Sequence, residues 1–185
     1  MTTDILESKL AAMSAVPALI AAAVLAVGQT SPKLAPDAHG PLAAPPPANL
    51  QRDVVLAWMA KYVQADRGWS LLAYDYEGVK LAAAGAITRT PEGFAEADIR
   101  TELFRPIEVK AGVARSGLAR WNVDCMAGRL AVLKMTAYSA NNLQGELGTK
   151  ISHEPDWQDP VGSEAETMRQ VCKAIGQEAT LAKKP

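Results

Sequence analysis

Few side chains in this sequence are of types, and at spacings, that do chemistry. Two cysteines and two histidines occur in 185 residues. Cys125 and Cys172 are too far apart for a Cys-x-x-Cys redox pair or a zinc knuckle. His39 falls in a proline-rich stretch, and His153 stands beside Glu154 with Asp156 and Asp159 close behind. A metal centre needs three or four converging ligands, and acids clustered around one histidine read as a solvated loop. Asp75, Glu77, Asp98, Glu102 and Asp124 could supply an acid–base pair. Most of them fall on the polar side of alternating segments, where they more simply solvate a sheet. Ser139 and Ser163 have no base nearby in sequence. No Gly-x-Ser-x-Gly elbow, His-Glu-x-x-His helix, phosphate-binding loop or dinucleotide fingerprint is present. The residues therefore indicate no catalytic group, no metal ligand and no cofactor, and a protein that is not an enzyme.

Charge narrows the partners. The formal net charge is −1, so no field of one sign draws in nucleic acid or anionic lipid. The N-terminus points to export. Leu10 to Gly28 carries no charge, its core from Ala18 to Val27 is strongly apolar, and Ala26-Val27-Gly28 offers a small-x-small cleavage site before Gln29. Residues 1–28 are thus expected to be a signal peptide or a membrane anchor. The acids Asp4 and Glu7 are atypical of a leader, while the apolar length approaches the roughly 20 residues that span a bilayer. Residues 29–48, with Pro45-Pro46-Pro47, form a Pro/Ala-rich linker, because proline fixes φ and lacks the amide donor.

The elements that must position any site follow. Asn49 is placed to cap a helix from Leu50 to about Asp66, with Val55, Trp58, Met59 and Tyr62 at helical spacing. That stripe is expected to pack on the domain edge, with partner binding as the alternative. From Trp69 the period becomes two. Strands are expected over Trp69–Tyr76 and Val79–Arg89, then, after the turn Thr90-Pro91-Glu92-Gly93, over Ala95 to Pro106. In the last of these Ala95, Ala97 and Ile99 oppose Glu96, Asp98, Arg100 and Glu102, so one face should be wet and the sheet antiparallel. Ile107–Gly117 reads as a loop. Ala119, Trp121, Val123 and Cys125 point inward on the next strand, Arg129–Tyr138 returns after Met126-Ala127-Gly128, and Gly145–Ile151 makes a sixth strand. Ser163 and Glu166 form a capping box for a helix whose apolar stripe holds Met168, Val171, Cys172 and Ile175. Cys172 could there meet Cys125, or both could be buried free thiols.

The strand ending Trp121-Asn122-Val123-Asp124-Cys125, the return through Arg129 to Tyr138-Ser139, and Asn142-Leu143-Gln144-Gly145 come in a telling order. With Trp157, Pro160-Val161-Gly162-Ser163 and Val171-Cys172, they resemble the surface-adhesin protein E family over about residues 69–175. That resemblance implies an α+β fold: a six-stranded antiparallel meander with a C-terminal helix packed on one face and tied to it by a Cys125–Cys172 disulfide. It also implies an exported, non-enzymatic protein and allows a homodimer. The chain departs from the family in lacking a lipid-acylatable cysteine after the apolar run and in inserting the linker and first helix. The organisation expected is an export segment, 1–28, a linker, 29–48, an accessory helix, 49–68, the family domain, 69–178, and a tail, 179–185. The function expected is protein binding, adhesin-like, in the periplasm or at the cell surface. The alternative is an accessory subunit of a larger membrane complex, held in the inner membrane by residues 10–28. An enzyme or small-ligand carrier would need a pocket of converging ionisable groups.

Overall fold

The computed structural model describes residues 44–64 and 68–179; the export segment, most of the linker and the end of the tail lie outside them. Among the described residues the order is α1 (Arg52–Tyr62), β1 (Trp69–Tyr74), β2 (Gly78–Arg89), β3 (Ala95–Val109), β4 (Gly112–Asp124), β5 (Arg129–Ala140), β6 (Gln144–Ile151) and α2 (Gly162–Ala174). The strands form one six-stranded sheet in sequence order, every neighbour antiparallel. Hairpin connections between short alternating segments produce that meander. The fold is the α+β architecture expected.

One face carries the larger core. Ala95, Ala97 and Ile99 of β3 stand opposite Val123, Trp121 and Ala119 of β4, and all are buried together with Leu130, Met168, Val171 and Cys172. The inward direction expected for Trp121, Val123 and Cys125 holds. Cys125 and Cys172 are bonded, with Cα atoms 5.8 Å apart, which fastens α2 to the turn after β4.

The opposite face is not uniformly wet. Val55 and Trp58 of α1 pack on Val79 and Leu81 of β2 and on Phe104 of β3, with the Trp58 and Phe104 rings edge to face at 4.9 Å. The aromatic stripe of α1 is therefore core. On the same face Arg100 and Glu102 are buried, while Glu96, Asp98 and Arg120 stay solvated. The alternation is right, but α1, Gln64 and the Asn141–Asn142 turn enclose part of the face it assigns to water.

Several boundaries move for identifiable reasons. The helix ends at Tyr62, not near Asp66, because Val63 is extended and buried in the second core. Asn49 accepts the Gln51 amide at 2.9 Å, an Asx turn ahead of the helix rather than a cap on it. Pro106 does not end β3. The pairing with β4 shifts between Glu102 and Ile107, and a bulge tolerates the missing amide. Ile107–Gly117 is hence two strand ends and a tight turn, not a loop. In β2 a bulge between Ala82 and Ile87, containing Gly85 at φ 79°, swaps faces: Leu81 joins the α1 core while Ile87 joins the α2 core.

Gly78 opens β2 where a Cβ would collide with the Glu102 carbonyl oxygen. Backbone cannot give way there as a flexible side chain can. Gly78→Ala is expected to cost about 1–3 kcal/mol, read as a lower denaturant midpoint with an unchanged slope.

Candidate functional site

The polar side chains gather in three places, and only one was foreseen as a group. Along β3 and β4, Arg120 donates to both carboxylate oxygens of Asp98 at 2.8 Å and lies 3.7 Å from Glu96. The hydrogen bond to Asp98, and then its charge, hold the guanidinium above its ordinary pKa. These groups are a third to a half exposed. Such pairs add little to stability and leave a small, mixed-sign patch open to solvent. Asp124, expected on that face, instead pairs with Arg129 at 3.2 Å, whose guanidinium stacks over Trp157 at 4.8 Å.

The second place is buried. Glu102, fully inaccessible, accepts from Arg100 Nε at 2.7 Å, from Asn141 Nδ2 at 3.0 Å and from the Asn142 amide at 3.0 Å. Arg100 also donates to the Gln64 carbonyl at 3.1 Å and to Asn142 Oδ1 at 2.8 Å. Asn142 in turn donates through Nδ2 to the Tyr62 carbonyl and accepts the Gln64 amide. One ion pair thus joins the end of α1, the middle of β3 and the β5–β6 turn. That turn contains two consecutive residues with positive φ, Asn142 at 64° and Leu143 at 57°. Asparagine tolerates this conformation; leucine is strained in it. The Leu143 amide donates to Ser116 Oγ at 3.2 Å, so the clamp extends to the strained residue. Ala44, at the end of the linker, donates to Asn141 Oδ1 at 3.3 Å, and Pro45 accepts from Trp58 Nε1. The linker is docked before it reaches α1.

The third place overturns the capping box. Val161 occupies the N-cap position, with no side-chain cap. Ser163 is instead buried, accepting from Lys80 Nζ at 2.7 Å and donating to Asp75 Oδ2. Asp75 Oδ1 takes the Glu77 and Gly78 amides. Glu166 turns away to Gln170 and Arg169, and those bonds, Gln170's first, lower its pKa. Lys80, Ser163 and Asp75 so fasten the start of α2 to the β1–β2 turn. The lysine sits 3.8 Å from the carboxylate and donates to the hydroxyl, so both partners of Ser163 restrain it at the start of α2.

His153, Glu154, Asp156 and Asp159 remain in the irregular segment between β6 and α2. No three His, Cys, Asp or Glu side chains of the described residues come together to hold a metal. That segment is pinned by Gln158, which pairs with Leu130 beyond the end of β6, and by Trp157 against Phe94. No described helix is long and apolar enough to cross a membrane, and residues 10–28 lie outside the description.

The buried clamp had a faint sequence signal. Arg100 and Glu102 sit two apart on one strand, hence on one face, and Asn141-Asn142 is a turn dipeptide able to answer both. Nothing in the local pattern says that a helix far earlier in the chain covers them.

No curated protein matches the chain. A solved structure of Haemophilus influenzae protein E, crystal form II, is similar at 15% identity and a TM-score of 0.43, covering 60% of this chain and 91% of that one. The family model for surface-adhesin protein E matches residues 69–173, from the first residue of β1 to the turn of α2 that follows Cys172. The chain belongs to the surface-adhesin protein E family, and is an adhesin-like exported protein.

Proposed function

We propose that the protein acts in the cell envelope by binding another protein, without catalysing a reaction. The observation that carries this reading is the family match across the whole sheet and α2, the part of the chain that the disulfide ties together. The three polar clusters support it. Two are buried and internally satisfied, and the third is an exposed row of opposed charges, so the polar chemistry serves positioning and display rather than turnover. A disulfide between buried cysteines also suits an oxidising compartment. The apolar run Leu10–Gly28 favours a second reading, an accessory subunit of a larger membrane complex.

One experiment addresses both. The full chain is expressed with its own N-terminus in a Gram-negative host, fractionated, and mass-mapped without reduction. Recovery from the envelope fraction with Cys125 and Cys172 joined is the expected result. A mature start at Gln29 favours a free periplasmic or surface module; an intact segment favours the anchored subunit. Recovery in the cytosol with both thiols free defeats both readings. Cross-linked capture from the same fraction should then yield a protein partner.

A further inference from the structure

Among the described residues β1 is one margin of the sheet and pairs with β2 alone, so the amides and carbonyls along its outer side meet no described strand. α2 passes on one side of β1, and Arg52, at the start of α1, stands at its far end. An open groove runs between them. The wider part, about 600 Å3, has Lys173 in its wall; the narrower part, about 370 Å3, reaches Arg52 and Tyr74. The two parts share Leu71, Leu72 and Gln170 and thus form one channel along the strand. In the wider part the floor is apolar, completed by Ala82 and Ile87. The β2 bulge opens the wide end, where Gly85 leaves nothing within 4 Å of a Cβ position.

The charges in the channel are unbalanced. Its carboxylate, Glu166, is held by Arg169 and Gln170. Arg52 and Lys173 are exposed, and neither has an ion-pair partner among the described residues. The channel thus offers three features together: an edge row of backbone donors and acceptors that meets no described strand, an apolar floor at its wide end, and an exposed cation toward each end. An extended segment that alternates apolar and acidic side chains satisfies all three, since backbone bonds supply affinity while alternate side chains enter the floor and meet the cations.

We propose that the β1–α2 groove docks an extended acidic segment of a partner protein, which adds to β1 as a further strand. This rests on the protein-binding reading above and gives it a surface and a ligand chemistry. The exposed Glu96–Arg120–Asp98 row competes poorly for that role, because its one guanidinium is already held by two carboxylates.

The test uses the oxidised full chain and a bead-displayed library of eight-residue peptides with free choice at every position. Selected peptides should be enriched in Asp and Glu alternating with Val, Ile or Leu. On binding they should slow amide exchange along β1, in Ser70–Ala73, while leaving β6 unchanged. Arg52→Glu with Lys173→Glu, both exposed and outside the two cores, should weaken binding by about tenfold or more, with a matching loss in high salt. N-methylation of alternate peptide amides should abolish it. Three results overturn the proposal: no peptide selected, selected peptides without acidic enrichment, or binding indifferent to the double charge reversal. Concentration-dependent self-association that protects the same β1 amides assigns the groove to a second copy instead, and overturns the acidic-segment assignment too. Failure here with a captured envelope partner leaves the protein-binding reading intact on another surface. Cytosolic recovery defeats that reading whatever the peptides do.

Discussion

Replacing both Cys125 and Cys172 with alanine is expected to lower the free energy of unfolding by about 4 kcal/mol. The bond closes a loop of sequence separation 47, and the chain-entropy estimate for such a loop gives that figure at room temperature. Location adds to it. Both cysteines are buried in the α2-side core beside Met168 and Val171, so alanine also removes two buried sulfurs. The rest of the α2 attachment is modest: the Lys80–Ser163–Asp75 cluster at its start and a short apolar stripe. For a described domain of this size, a loss of 4 kcal/mol is a large part of total stability. Chemical denaturation of the oxidised protein, the reduced protein and the double-alanine variant measures it. Reduction alone should reproduce most of the loss, which separates the crosslink from the lost packing. A loss below about 1 kcal/mol in both would mean that α2 is held without the bond. Because α2 forms one wall of the β1 groove, reduction should also release any segment bound there.

The sequence made the α2 side of the sheet legible because its signal is local and periodic. Ala95, Ala97 and Ile99, then Ala119, Trp121, Val123 and Cys125, alternate without interruption, and a one-residue slip would expose every one of them. What stayed hidden depends on contacts between distant segments. Arg100 and Glu102 obey the same period-two rule, so they read as wet; the partners that enclose them are Gln64, just after α1, Trp69 and the Asn141–Asn142 turn. Ser163 and Glu166 fit the capping-box spacing, but the Ser163 hydroxyl is taken by Lys80 and Asp75, groups more than 80 residues away. Pro106 looked terminal because a proline usually breaks a ladder; the bulge that accommodates it is set by register with β4. The groove beside β1 had no sequence signal. It depends on the β2 bulge, on α2 lying along the sheet margin, and on Arg52 reaching over from another helix.

Glu102→Ala should be the most damaging substitution of a single charged residue, costing about 3–5 kcal/mol, because it leaves the Arg100 guanidinium buried without its counter-charge. Arg100 is only 3% exposed and Glu102 is fully inaccessible. Removing the carboxylate also strips the acceptor from the Asn142 amide and leaves Asn141 Nδ2 with the longer bond to the Arg115 carbonyl. The β5–β6 turn should respond first. Asn142 and Leu143 hold left-handed backbone, a strain that persists only while surrounding bonds over-determine it. Their amides should therefore exchange faster by a larger factor than those in the middle of β4. Arg100→Met combined with Glu102→Leu removes both charges while keeping volume and apolar contact with Leu81 and Trp69. Buried pairs exchanged in that way often lose little stability. The double variant should thus be more stable than Glu102→Ala, and a double-mutant cycle should return a coupling of about 1–3 kcal/mol. The turn, however, should remain loosened in the double variant, since neither replacement can bond Asn142. If the double variant recovers stability and slow exchange at Asn142 together, the ion pair is not what holds the strained turn, and the Ser116 contact to Leu143 carries that role. If stability returns without protection, the pair is kept for the shape of the β5–β6 turn rather than for the free energy of the fold.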